Sequence, residues 1–219
     1  EVLKPMGKKL KGIRLDSGDI AYLSKRARVM LDVAGLHDTT ITASNSLDEY
    51  LIRSLLDQGA QIDSFGVGEN LIVSHSSPVF GGVYKLVAIE KNGEIIPKIK
   101  ISENTEKITN PGYKKVYRLF ENETGKAIGD VIAFHDEKIS SDQDLTIYHQ
   151  SNIWKFKTIL ANTYTVEPLQ VPVFVDGKCV YPEYTVNEIR EYSNHEKERL
   201  WDEVFRLEYP HDYYEIGRA

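Results

Sequence analysis

The strongest constraint lies between residues 11 and 68, where short β-prone runs alternate with helical periodicity and each run ends in a polar or glycine turn. Residues 11–15 are partly apolar and lead into Asp16-Ser17-Gly18-Asp19. Ile20, Leu23, Ala27, Met30, Leu31 and Ala34 follow at spacings that share one helix face, and Gly35 is placed to stop that helix. Residues 39–43 are rich in β-branched side chains and predict a second strand. Ser46 and Glu49 have capping-box spacing before a helix marked by Leu47, Leu51 and Leu55 and ended by Gly59. Residues 61–65 predict a third strand, closed by Gly66-Val67-Gly68. This β-α-β-α-β order predicts parallel strands covered by helices. Three strands are too few to close a barrel, so the sheet is either open or part of a larger (β/α) barrel.

After Pro78 the texture becomes β-rich. Residues 83–90 and 95–101 flank Asn92-Gly93, a strong hairpin signal, with Pro97 assigning the second run to a sheet edge. Residues 115–120 and 128–134 predict a pair joined through Thr124-Gly125, and residues 171–175 and 178–181 predict a hairpin around Asp176-Gly177. Val186, Ile189, Leu200, Val204 and Leu207 lie among many charges and predict an amphipathic surface helix over residues 187–208, stopped by Tyr209-Pro210-His211-Asp212. The expected division is an α/β domain over residues 1–80 and a β-rich domain with a terminal helix over residues 81–219.

Net charge is −6 with no basic block, which excludes an electrostatic footprint for nucleic acid or a membrane surface. No apolar run approaches the roughly 18 residues of a membrane span, and residues 1–11 carry no apolar signal core. The single cysteine, Cys179, fits a reducing compartment and reads as a passive strand residue. The six histidines show no close ligand spacing, so no resident metal site is expected from them. Tyr181, Tyr184 and Tyr192 read as packing or interface residues rather than a base-stacking platform.

Parallel strands place their C-terminal ends on one face, so the three turns should converge there, where α/β enzymes build their sites. The residue types suit a sugar phosphate. Glycines at Gly66 and Gly68 allow backbone N–H groups to approach phosphate oxygens. Arg14 suits a bidentate contact with phosphate or carboxylate. Asp16 and Asp19 suit ribose hydroxyls, or magnesium held through water, and Asp19 is equally suited to capping the helix at Ile20. Ser44 and Asn45 complete the cluster. Ser17 has no histidine beside it in a readable motif, so a nucleophilic role is not expected.

The motifs Gly12-Ile13-Arg14-Leu15-Asp16-Ser17-Gly18-Asp19, Ala43-Ser44-Asn45-Ser46-Leu47-Asp48-Glu49 and Asp63-Ser64-Phe65-Gly66-Val67-Gly68 resemble, in order, three signatures of the nicotinate phosphoribosyltransferase family. Phe80-Gly81-Gly82-Val83-Tyr84-Lys85-Leu86 and Pro111-Gly112-Tyr113-Lys114-Lys115-Val116-Tyr117-Arg118 are similar to two further segments of it. The resemblance implies the C-terminal portion of a type II phosphoribosyltransferase: a partial (β/α) barrel, then a β-rich region and a C-terminal amphipathic helix. It implies conversion of nicotinate and 5-phosphoribosyl-1-pyrophosphate to nicotinate mononucleotide and pyrophosphate in NAD biosynthesis. It further implies ATP hydrolysis coupled through a phosphorylated histidine, Mg2+ as cofactor, and a cytoplasmic homodimer. On the resemblance, Arg14 faces the pyridine carboxylate or a phosphate and Asp16 lies at the ribose. Ser17, Gly18, Asp19, Ser44 and Asn45 line the pocket, and Gly66, Val67 and Gly68 form the phosphate loop.

Three departures from the family pattern bear on these expectations. Ser46 stands where an acidic or small residue is common, and Glu69-Asn70 where a basic residue is frequent. The phosphorylatable histidine precedes the first motif in the family, whereas residues 1–11 hold no histidine, so the isolated chain is expected not to turn over. A nicotinamide-using relative and a non-catalytic sugar-phosphate-binding or oligomerisation module are the alternatives.

Overall fold

A computed structural model describes residues 2, 3, 5–79, 81–103, 108–149, 152 and 154–211, and the backbone of 217 and 218. Phe80 and Asp212 of the motifs above lie outside the described residues. The chain forms two compact units, Glu1–Gly82 and Val83–Ala219.

The first unit is built from β1 (Gly12–Leu15), α1 (Ile20–Val33), β2 (Thr40–Ala43), α2 (Glu49–Asp57), β3 (Ser64–Phe65) and the short α3 (Glu69–Ile72). The strands form one sheet in the order β1-β2-β3, every pairing parallel, and it does not close. Both long helices end as the glycines predict. Gly35 and Gly59 are left-handed at φ 71°, and the following amides, Leu36 N–H and Ala60 N–H, return to Leu31 and Leu55 carbonyls at 2.8 and 3.0 Å. The start of α2 differs from the expected Ser46–Glu49 box. Asp48 is the cap, accepting from Leu51 N–H at 2.7 Å, because Asn45 and Ser46 are both left-handed (φ 92° and 48°) and carry the chain round the turn.

Ile20, Ala21, Ala43, Leu47 and Leu55 form the core of this unit, with Ile52 rather than the exposed Leu51 packed against it. Met30 is likewise exposed, so the inward face of α1 is narrower than its apolar spacing suggested. Arg28 anchors the helix to the following loop, donating to Asp32, Leu36 O and Thr39 O at 3.0, 2.8 and 2.7 Å.

The second unit opens with the hairpin β4 (Ala88–Lys91) and β5 (Glu94–Pro97), shorter than the runs read from sequence; Asn92 and Gly93 turn it with φ 56° and 80°. Its main sheet takes β6 (Lys114–Glu121), β7 (Ala127–Phe134), β8 (Leu145–His149), β9 (Phe156–Ile159), β10 (Tyr164–Pro168) and β13 (Gly217–Arg218) in the order β10-β6-β7-β13-β8-β9. Strands β8, β9 and β10 were not anticipated. Leu119, Ile128, Val131, Ile147, Ile159 and Tyr164 fill the core, and the buried Tyr164 hydroxyl reaches Ser140 O and Gln143 O at 2.8 and 3.0 Å. Arg118 makes a two-point ion pair with buried Asp130 at 2.8 and 3.0 Å.

Beyond the sheet, β11 (Phe174–Val175) and β12 (Lys178–Cys179) form a hairpin in which Cys179 is exposed. The terminal helix is shorter than expected: α4 is Val186–Glu198, capped by a reciprocal Thr185–Glu188 box. It stops because the next residues bind the sheet instead. Arg199 pairs with Glu167 at 2.6 Å and lies 3.5 Å over the Phe120 ring, and Trp201 Nε1 donates to Ala127 O at 2.9 Å. A separate 3-10 turn, Asp202–Phe205, follows. No residue of α4 is buried; Val186, Ile189 and Tyr192 are exposed, as are Tyr181 and Tyr184, whose rings meet edge-on at 5.6 Å. Among the described residues no helix is long and apolar enough to cross a membrane.

Candidate functional site

Strand alternation divides the parallel sheet into two chemically different faces. Ile41 and Ala43 are fully buried, and Ala43 and Phe65 both pack in the cluster formed with Ile20, Ala21 and Leu55 of the helices. The intervening residues point the other way. The register sets Arg14 beside Thr42 and Thr42 beside Ser64, and the two hydroxyls lie 2.8 Å apart. One step further along, Asp16 and Ser44 emerge at the C-terminal ends of β1 and β2.

Three of these side chains form a closed hydrogen-bonded triangle. Arg14 Nη2 donates to Asp16 Oδ2 at 3.1 Å, Arg14 Nη1 to Ser44 Oγ at 3.2 Å, and Ser44 Oγ to Asp16 Oδ1 at 3.0 Å. The triangle borders a cavity of about 250 Å³ whose wall also includes Asn45, Gly66 and Gly68. Residues from all three post-strand turns therefore meet at one place. Chemically, the triangle offers a guanidinium for an anion and a carboxylate held in place for hydroxyls or developing positive charge. The Arg14 and Asp16 side chains remain 63% and 53% exposed.

Of the other expected site residues, four lie outside the cavity wall and one lines it. Ser17, Gly18, Asp19 and Val67 are not part of the cavity wall. Asp19 caps α1, accepting from Tyr22 N–H at 2.9 Å, and Gly18 supplies the left-handed turn before it at φ 77°. Val67 packs against the core cluster. Gly66 lines the cavity, but its N–H donates to Ala43 O at 2.7 Å, continuing the ladder; this corrects the expectation that this amide faces a phosphate. Asp63 extends the same ladder, its carboxylate accepting from Ile41 N–H at 2.7 Å.

Four further residues complete the wall: Ser46, Leu47, Glu69 and Asn70. Asn70 was read only as a missing base. Its carboxamide instead donates to Leu47 O at 3.0 Å and Ser46 O at 3.4 Å, joining the turn after β2 to the glycine loop. No sequence signal distinguishes such an asparagine, since its acceptors lie 23 and 24 residues away. Among the described residues no group of three His, Cys, Asp or Glu side chains is placed to hold a metal ion. No histidine lines the cavity; His37 lies 3.2 Å from Asp32, and His135 stacks on Tyr113 at 4.8 Å.

Comparison with known proteins adds an independent line. Residues 113–214 match the family model described as nicotinate phosphoribosyltransferase C-terminal domain. Nicotinate phosphoribosyltransferase of Bacillus subtilis is 42% identical over 202 residues, covering 92% of this chain and 41% of that protein. The Caenorhabditis elegans enzyme of the same name is 37% identical over 201 residues, covering 88% and 34%. The crystal structure of human nicotinic acid phosphoribosyltransferase shares the fold with a TM-score of 0.68 at 24% identity, over 97% of this chain and 39% of that one. The chain thus spans about a third to two-fifths of the length of these relatives. With the family's C-terminal domain model matched in the second unit and similarity to the named relatives running over most of its length, the chain belongs to the nicotinate phosphoribosyltransferase family.

Proposed function

We propose that this chain supplies the ribose-phosphate side of a nicotinate phosphoribosyltransferase site, making nicotinate mononucleotide and pyrophosphate from nicotinate and 5-phosphoribosyl-1-pyrophosphate with coupled ATP hydrolysis in NAD biosynthesis. The observation that carries this reading is the Arg14–Asp16–Ser44 triangle beside a cavity reached by all three post-strand turns. The parallel sheet is then one sector of an incomplete (β/α) barrel whose polar face looks inward, and α4 is an amphipathic helix of the flanking β-rich domain. The protein works in the cytoplasm as a homodimer.

As pyrophosphate departs, C1 of the ribose gains positive charge and the pyridine nitrogen attacks from the opposite side. A fixed carboxylate stabilises that charge best, because it does not have to reorganise. Asp16 fits this role, being tethered on both oxygens by Arg14 and Ser44. Arg14 then receives a phosphate or the pyridine carboxylate as a forked donor. Ser44 and Asn45 line the ribose pocket, and Gly68 allows close approach to the phosphate. The chain's own donors fit magnesium only when pyrophosphate provides most of its ligands, with Asp16 contributing through water. A magnesium ion held in that way would supply charge neutralisation at the departing pyrophosphate.

The test is a pair of measurements on the 219-residue chain. Calorimetry should detect binding of phosphoribosyl pyrophosphate with magnesium, lost in Asp16→Ala. An assay with nicotinate, ATP and phosphoribosyl pyrophosphate should show no turnover by the chain alone. Absence of binding would sink the site, and robust turnover would sink the view that the chain provides only part of it.

A further inference from the structure

We infer that Asn70 is a positioning residue that locks the turn after β2 into the shape the ribose-phosphate cavity requires. This rests on the reading of that cavity given above. Asn45 and Ser46 are consecutive non-glycine residues in the left-handed region, at φ 92° and 48°. Such a pair is strained and persists only where its surroundings hold it. Leu47 provides one anchor, being 1% exposed in the core. The other anchor is the Asn70 carboxamide, which holds the Leu47 and Ser46 carbonyls from the opposite side of the cavity. Asn70 is partly buried and rises from α3, directly after Gly68 and Glu69. One side chain thereby fixes the separation of the two loops that carry Asn45 and Gly68. A lysine or arginine there would contact an anion itself; asparagine acts through the backbone of the facing turn.

The experiment compares the 219-residue chain with Asn70→Leu, which keeps the side chain's branched heavy-atom outline and removes the donor, and Asn70→Gln, which restores an amide donor. The first readout is the backbone 15N order parameter at Asn45 and Ser46. In the wild type both should be rigid, at about 0.85, and in Asn70→Leu they should fall below about 0.6. The second is the Kd for ribose 5-phosphate, which should weaken roughly 5- to 10-fold in Asn70→Leu and recover partly in Asn70→Gln, the effect of one lost hydrogen bond. Unchanged order parameters overturn the locking role whatever the ligand does. A loosened turn with unchanged Kd overturns the positioning role and leaves Asn70 merely structural. A wild-type chain with a rigid turn that binds no ribose phosphate overturns the cavity reading itself and the positioning role with it, a result distinct from both others.

Discussion

Asp16→Asn separates charge from shape at the candidate site. The asparagine oxygen can still accept from Arg14, and its amide can donate to Ser44 Oγ once that hydroxyl rotates, so the triangle keeps its outline. Both charged partners are more than half exposed. Solvent screening therefore limits the ion pair to about 0–1 kcal/mol of folding stability. A carboxylate accepting a ribose hydroxyl is a charge-assisted bond of roughly 1.5–3 kcal/mol. Its loss corresponds to about 10- to 150-fold in Kd. The substituted amide retains an acceptor, which places Asp16→Asn near the low end and Asp16→Ala higher. The assay is titration calorimetry with ribose 5-phosphate, paired with urea unfolding of each variant. Equal affinity in wild type and Asp16→Asn would refute a ligand role for the charge. A stability loss above about 2 kcal/mol, with binding failing in parallel, would show instead that Asp16 serves the fold.

Gly112→Ala should destabilise the chain by about 2–4 kcal/mol, because Gly112 is left-handed at φ 98° and a Cβ there would sit 2.5 Å from Phe134 Cε1; calorimetric melting reads the loss, and an unchanged Tm would contradict it. Hydrogen bonds from the Thr185 side chain and backbone hold the Glu188 carboxyl below its ordinary value of 4.5, so its capping contribution is complete above that pH and is lost as pH falls through the depressed folded value. Circular dichroism of wild type against Glu188→Gln should therefore show excess wild-type helicity near neutrality that disappears in acid, and a pH-independent difference would remove Glu188 ionisation as the cause.

The legible parts of this fold were those decided within a few residues of chain. Gly35, Gly59, Asn92-Gly93 and Asp176-Gly177 announced their turns because left-handed backbone limits which residues can stand there. The strands β8, β9 and β10, by contrast, are only 4–5 residues long and have no tight Gly turn between them; β8 and β9 pair with each other, and β10 is defined by pairing distant in sequence, with Tyr164 facing Glu121 in the register. Capping of α2 was misplaced because both Ser46 and Asp48 are competent caps, and burial of Leu47 between them selects the second. In the site, Arg14, Asp16, Ser44, Asn45, Gly66 and Gly68 were readable from their positions after strands. The Gly66 amide and the Asn70 carboxamide were not, because their acceptors are set by tertiary geometry.

Exposure of the triangle bears directly on catalysis. A parallel sheet ordinarily has both faces covered. Here Ile41 and Ala43 are fully buried, Ala43 in a cluster with Ile20 and Ala21 of α1 and Leu55 of α2, whereas Arg14 and Asp16 stay more than half exposed to solvent. At 4 Å, two unit charges interact by about 1 kcal/mol in bulk water and about 4 kcal/mol at an effective dielectric of 20. In the proposed reaction, an open Asp16 would thus lose most of its leverage on a cationic ribose carbon. Substrate binding needs only the local donors, but transition-state stabilisation needs water excluded from this face. The chain alone should therefore bind ribose phosphates without accelerating their transfer, on electrostatic grounds independent of any histidine. Covering the polar face should raise turnover while changing affinity far less; an equal gain in both would mean that the cover acts by completing the binding pocket rather than by drying it.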